Sequence, residues 1–163
     1  MTQLAIAYYR AADLLPERPA RALLGNPLIV RVMSEVMAKT GDRDLRGWIH
    51  DQHDRYFSRF SDTTTLLEAF RASVSHTVAD YVDAFDRPTL LVAGDRDDIT
   101  PLSAQLALHR RIPGSRFRVI PGVGHLVRYE AVDDAVAEIA AFLTSVSVER
   151  TAERAAGRAG EKE

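Results

Sequence analysis

The chain predicts an α/β fold: a helical first half, then two parallel strands with flanking helices. Three observations carry this. Residues 1 to 86 hold apolar stripes at helical spacing, and residues 87 to 146 alternate two short apolar runs with two helical patterns. Residues 147 to 163 mix both charge signs with alanine and offer almost nothing to bury, which predicts frayed helix or disorder. The join at Asp86-Arg87 is short, so the helical half is expected to pack on the α/β half rather than stand as an independent domain.

In the first helix, Leu4, Ala7, Tyr8 and Ala11 share a face, and Pro16 and Pro19 interrupt the pattern that follows. A second helix is predicted over 27–39 with Ile29, Val32, Val36 and Met37 inward, closed by Gly41 at positive φ. A third spans 44–60 and carries Trp48, Tyr56, Phe57 and Phe60. In a fourth, Thr65-Leu66-Leu67-Glu68 has the form of a capping box. Its stripe of Leu67, Phe70, Val74, Val78, Tyr81, Val82 and Phe85 continues until Pro88 stops it.

Thr89-Leu90-Leu91-Val92-Ala93, bounded by Pro88 and Gly94, has the pattern of a strand buried on both faces. A helix over 101–111 with Pro101 in its first turn follows, then a turn at Pro113-Gly114 and a second strand, Phe117-Arg118-Val119-Ile120. The closing helix, 131–146, turns Val132, Val136, Ile139, Phe142 and Leu143 to one side. Strand, helix, strand, helix at this spacing is a parallel unit.

Composition narrows the function. With 163 residues, 46% hydrophobic and 27% charged, the chain suits one globular domain. A formal net charge of −2 argues against a surface built for nucleic acid or anionic membrane, so neither is expected as a partner. The absence of cysteine excludes disulfides, thiolate catalysis and cysteine-based zinc sites, and fits a reducing cytoplasm. No apolar run approaches the ~20 residues of a membrane-spanning helix, and no basic stretch precedes an apolar one at the N-terminus. A cytoplasmic location is expected.

In parallel α/β sheets, reactive groups gather where loops leave the carboxyl ends of strands. Both such loops here are unusual. The first reads Gly94-Asp95-Arg96-Asp97-Asp98-Ile99-Thr100-Pro101; the second, Pro121-Gly122-Val123-Gly124-His125. A carboxylate can fix an imidazole tautomer and stabilise the imidazolium, and an imidazole can take a proton near neutral pH. Together they are two thirds of a nucleophilic triad. Asp97 and His125 are the expected pair, with Asp98 as the rival acid; Asp95 and Arg96 are expected to make a local ion pair or loop hydrogen bonds.

The residues from Pro88 to Pro101, followed by Val119 to His125 and Glu130, resemble the end of an α/β-hydrolase fold protein. The resemblance is close over about sixty residues and loose over the first half, which it reads as a cap or lid over 1–86 ahead of a core over 87–146. It implies that Asp97, at the aspartate of Gly-x-x-Asp-x-x-x-Pro, is the triad acid and His125 the base. It also implies attack on an ester or related acyl bond, with no cofactor and no metal. The departure is equally plain: nowhere is there a Gly-x-Ser-x-Gly nucleophile elbow. Ser34, Ser58, Ser61, Ser73 and Ser75 fall in helical sequence, and Ser103 lies at a loop–helix junction. The chain is thus expected to supply the acid and histidine of a hydrolase whose nucleophile half lies elsewhere. The alternative is a non-catalytic truncated product or interaction module of the same origin.

Three further features read blandly. His50-x-x-His53 beside Asp54 could hold a metal, but Asp51, Gln52 and Arg55 around it favour a solvated face. Gly122-x-Gly124 lacks the third glycine of a dinucleotide loop, since Val127 stands there. Two strands alone leave sheet edges and faces uncovered, so self-association or pairing with a missing N-terminal half is expected, as is a small ester substrate in a completed enzyme.

Overall fold

The computed structural model describes residues 2–57 and 59–160, with side chains over 3–57 and 59–151. Four helices open the chain: α1 (Thr2–Asp13), α2 (Glu17–Leu24), α3 (Pro27–Met37) and α4 (Arg43–Tyr56). After α5 (Thr63–Ser75) comes a 3₁₀ segment, Val78–Ala84. The α/β part follows as β1 (Leu90–Gly94), α6 (Leu102–Arg111), β2 (Arg116–Ile120), a short α7 (Val127–Glu130) and α8 (Val132–Gly160). The strands pair in parallel, Leu90 opposite Arg116 through Gly94 opposite Ile120.

Local chemistry moves several expected boundaries. Helix α5 starts three residues early because Asp62 is its N-cap, accepting from Thr65 N at 2.7 Å, so Thr65 is not the cap. It also ends earlier than its apolar period suggests. His76 and Thr77 are extended, and Thr77 N donates to Asp80 at 2.7 Å, which starts the 3₁₀ segment afresh. Of the predicted stripe, Leu67 and Val82 are buried while Val74, Val78 and Tyr81 are exposed. Helix α2, unforeseen, tolerates Pro19 because the first helical turn needs no intrahelical N–H donor there. In α3 the buried face is Val30, Ser34 and Met37 rather than the one containing exposed Val32. Ala38 ends that helix in extended conformation (φ −77°, ψ 117°), and Gly41 is not at positive φ.

Three buried clusters result. Ala12, Leu24 and Leu67 join α1, α2 and α5. Ile120, Val123 and Ala131 hold the sheet to α8. Between them, Met37, Ala38, Ile49 and Leu126, with Ile99 and Tyr129 against them, join the helical half to both strand-end loops. The two halves therefore share a core.

The sheet is less covered than its sequence predicts. Leu90, Leu91 and Val92 are only half-buried, because one neighbouring strand and two helices cannot enclose a strand on both faces. Helix α8 meets the sheet through Ala135 and lays Phe142 against the Arg116 guanidinium, so Val132, Val136, Ile139 and Leu143 turn outward instead of inward. Its backbone stays helical through the polar tail to Gly160. No described helix is long and apolar enough to cross a membrane.

Candidate active site

The strand ends are brought close by glycine. A Cβ on Gly94 would lie 2.3 Å from the Val123 carbonyl oxygen and 2.5 Å from that of Gly124, so only glycine lets the acid loop pass beneath the histidine loop. Gly122 turns at φ +78°. Backbone bonds lace the loops: Asp95 N donates to Ile120 O at 3.2 Å and Arg96 N to Val123 O at 2.9 Å. The Asp95 carboxylate accepts from Gly122 N at 2.6 Å, a loop hydrogen bond of the kind expected.

Asp97 and His125, 28 residues apart, meet across these loops, with His125 Nδ1 3.0 Å from Asp97 Oδ2. The carboxylate is buried to 5% exposure and the imidazole 40% exposed. Asp97 is held independently of the histidine. Its Oδ1 accepts from Ile99 N at 2.8 Å and Thr100 N at 2.9 Å, and its Oδ2 from the Thr100 hydroxyl at 2.5 Å. Burial pushes this carboxyl's pKa up, but the bonds from Thr100, His125 and Ile99 outweigh it and leave the group below the usual aspartate value. Asp97 is therefore ionised at neutral pH, and an anion there favours a proton on Nδ1. That leaves Nε2 as the ring's proton acceptor. Asp98 instead pairs with Lys39 Nζ at 2.6 Å. An open cavity of about 320 Å³ touches Gly94, Asp97, Thr100, His125 and Arg128.

Among the described residues no serine hydroxyl bonds His125. Ser34 is fully buried in α3, Ser73 and Ser75 lie in α5, and Ser61 sits in a bend rather than a helix. Ser58 lies outside the described residues.

His50 and His53 correct the expectation of a solvated face, being 5% and 1% exposed. Ser34 Oγ lies 2.6 Å from His50 Nδ1 and 2.7 Å from His53 Nδ1. A hydroxyl has one proton to give, so one ring must accept it and the other must donate. Glu35 Oε1 stands 3.0 Å from His50 Nε2, close enough for charge although off the line of a formed hydrogen bond. It draws a proton to that nitrogen, so His50 Nδ1 accepts from Ser34 and His53 Nδ1 donates to it. His53 Nε2 is then a buried, unpartnered acceptor. Burial first, then His50 and the Arg128 charge, lower the His53 pKa, and Asp54 opposes them. Sequence reading missed this knot; the signal was Ser34, His50 and His53 on facing sides of α3 and α4. Among the described residues no group of three or more His, Asp or Glu is placed to hold a metal.

The sequence profile of the family described as TAP-like protein matches residues 63–155, more than half the chain. Among curated proteins none matches. Solved structures do. A thermophilic esterase from Thermogutta terrifontis superposes with TM-score 0.65 at 22% identity, covering 86% of this chain and 49% of that one. An esterase from Exiguobacterium antarcticum gives 0.60 at 17%, covering 89% and 48%. A bromoperoxidase from Bacillus anthracis gives 0.59 at 21%, covering 72% and 44%. The chain thus spans about half the length of the structures it matches.

Proposed function

Because the chain belongs to the TAP-like family of α/β-hydrolases and carries a C-terminal part of that fold, we propose that Asp97 and His125 are the acid and base of an ester or acyl hydrolase. The carrying observation is the His125 Nδ1–Asp97 Oδ2 contact of 3.0 Å at an open cavity, on a carboxylate already fixed by Ile99 and Thr100. In this reading His125 Nε2 takes the proton of a serine-type hydroxyl contributed by polypeptide beyond this chain. The hydroxyl oxygen attacks the acyl carbon, and the imidazolium returns its proton to the leaving alcohol. Water, deprotonated by the same nitrogen, then releases the acid. Asp97 orients the ring and stabilises its charged form throughout.

A second reading accompanies the first. The outward stripe of Val132, Val136, Ile139 and Leu143, with the half-covered β1, supports pairing with the nucleophile-bearing half of the sheet, or with another copy of this chain.

Turnover of p-nitrophenyl acetate, by the chain alone and joined to an N-terminal half of an α/β-hydrolase that carries a Gly-x-Ser-x-Gly elbow, tests the assignment. The joined protein is expected to turn over, and His125→Ala or Asp97→Asn to lower kcat by about 10²–10⁴-fold. Asp98→Asn is expected to cost far less than either, because Asp98 faces Lys39 and not the imidazole. Parental kcat in His125→Ala overturns the assignment; loss in Asp98→Asn alone moves the acid.

A further inference from the structure

Residues 37–40, the last residue of α3 and the start of its link to α4, touch both loops of the pair. The Glu130 carboxylate, at the end of α7, draws them in. Its Oε1 accepts from the Lys39 backbone N–H and from Thr40 N at 2.6 Å, residues some ninety positions away. Its Oε2 accepts from the N–H of Gly124, the residue immediately before His125, at 3.0 Å. On the other side, Lys39 Nζ holds Asp98, the residue immediately after Asp97, at 2.6 Å. The packing is tight as well as polar. A Cβ on Gly124 would fall 2.7 Å from Lys39 Cγ and 3.0 Å from the Met37 carbonyl oxygen. Met37 and Ala38 are buried against Leu126, with Ile99 alongside. Each member of the Asp97–His125 pair therefore has its chain neighbour tied to one short segment of the helical half.

We propose that segment 37–40 is a strut through which the helical half governs the pair, with Glu130 as the positioning residue that fastens it. A shift of α3 or α4 pulls on Gly124 through Glu130 and on Asp98 through Lys39, and so turns the imidazole relative to its acid. With the strut seated, both loops are held in the register that aligns the pair. The regulatory meaning rests on the acid–base reading above; the mechanical coupling does not. Glu130 works through backbone N–H groups, and three bonds to one anion are stronger than three to a neutral acceptor.

The test is proton NMR of the full chain, following the His125 Nδ1–H resonance and the amides of Thr40 and Gly124. Glu130→Gln replaces one accepting oxygen by a donor. It is expected to speed exchange of both amides and of the Nδ1–H together, by on the order of tenfold or more. Faster amides with an unchanged Nδ1–H resonance overturn the strut. Asp97→Asn separates the two readings. If it leaves the Nδ1–H signal intact, the acid–base reading is wrong; if it removes the signal while Glu130→Gln does not, only the coupling is wrong. Should Glu130→Gln not fold, hydrogen exchange of the parent chain decides. A common clamp requires Thr40 and Gly124 to open with the same protection, and a hundredfold difference between them overturns it.

Discussion

Replacing Ser34 by alanine tests the buried histidine knot most directly. The hydroxyl is the shared partner of two ring nitrogens, at 2.6 Å and 2.7 Å, in a site with no exposure at Ser34. Its removal subtracts a single oxygen, too small a space for a replacement water to bridge both rings. Two buried Nδ1 atoms are then left without a partner, and each such group costs about 1–3 kcal/mol. The expected loss is about 2–6 kcal/mol, which for a chain of this size lowers Tm by roughly 4–24 °C. Urea unfolding followed by the fluorescence of Trp48, on the same helix as both histidines, measures it. Ser73→Ala is the control: that hydroxyl donates to a carbonyl of its own helix at an exposed site, and its loss should stay within about 0.5 kcal/mol. A Ser34→Ala protein as stable as this control would mean that the rings find other partners and that the shared hydroxyl does not hold the knot.

Three more predictions follow from other features. His53 is buried with a lowered pKa, so the unfolded chain binds more protons than the folded one; stability is full above the ordinary histidine value near 6.5 and falls as pH drops from there through the folded pKa. Urea midpoints between pH 7.5 and 5 check this, and His53→Gln should flatten that slope, whereas the Asp97 contribution is lost only below the ordinary aspartate value of 3.8. Gly94→Ala places its methyl against backbone oxygens of Val123 and Gly124, so a stability loss of about 1–3 kcal/mol is expected; a Tm unchanged within 1 °C refutes the close approach. Val136→Lys combined with Leu143→Glu on the outward face of α8 should reduce self-association seen by light scattering, and a parent chain already at its monomer mass of 18.1 kDa speaks against that face as a docking surface.

The strands and their loops were legible because proline, glycine and short apolar runs mark them without tertiary help. Pro88 and Gly94 bracket β1, and the Asp97 and His125 loops follow their strands as the spacing implied. What stayed illegible depended on competition between neighbours. Asp62 and Thr65 both suit an N-cap, and only the folded backbone shows that Asp62 takes it. The stripe through Phe85 was continuous in period, yet the Thr77–Asp80 bond offered the backbone another partner and broke the helix. Helix α8 carries apolar groups on more than one side, so periodicity did not choose the face, and the basic side chains of β2 did: Arg116 lies over Phe142 and Arg118 pairs with Glu138 at 2.9 Å. His50 and His53 looked solvated because Asp51, Gln52 and Arg55 sit between and beside them, while a serine sixteen and nineteen residues upstream of them meets both rings inside. Glu130 was visible as a spacing, but the segment it grips lies some ninety residues away, beyond any local pattern.

The anchoring of Asp97 has a further consequence. With Ile99 and Thr100 satisfying it, the carboxylate keeps three donors even when the imidazole rotates away. Departure of the ring strands no bare anion in a dry place, so the movement is cheap and reversible. The acid behaves as a gatepost: the histidine can swing out into the open cavity and come back to the same latch.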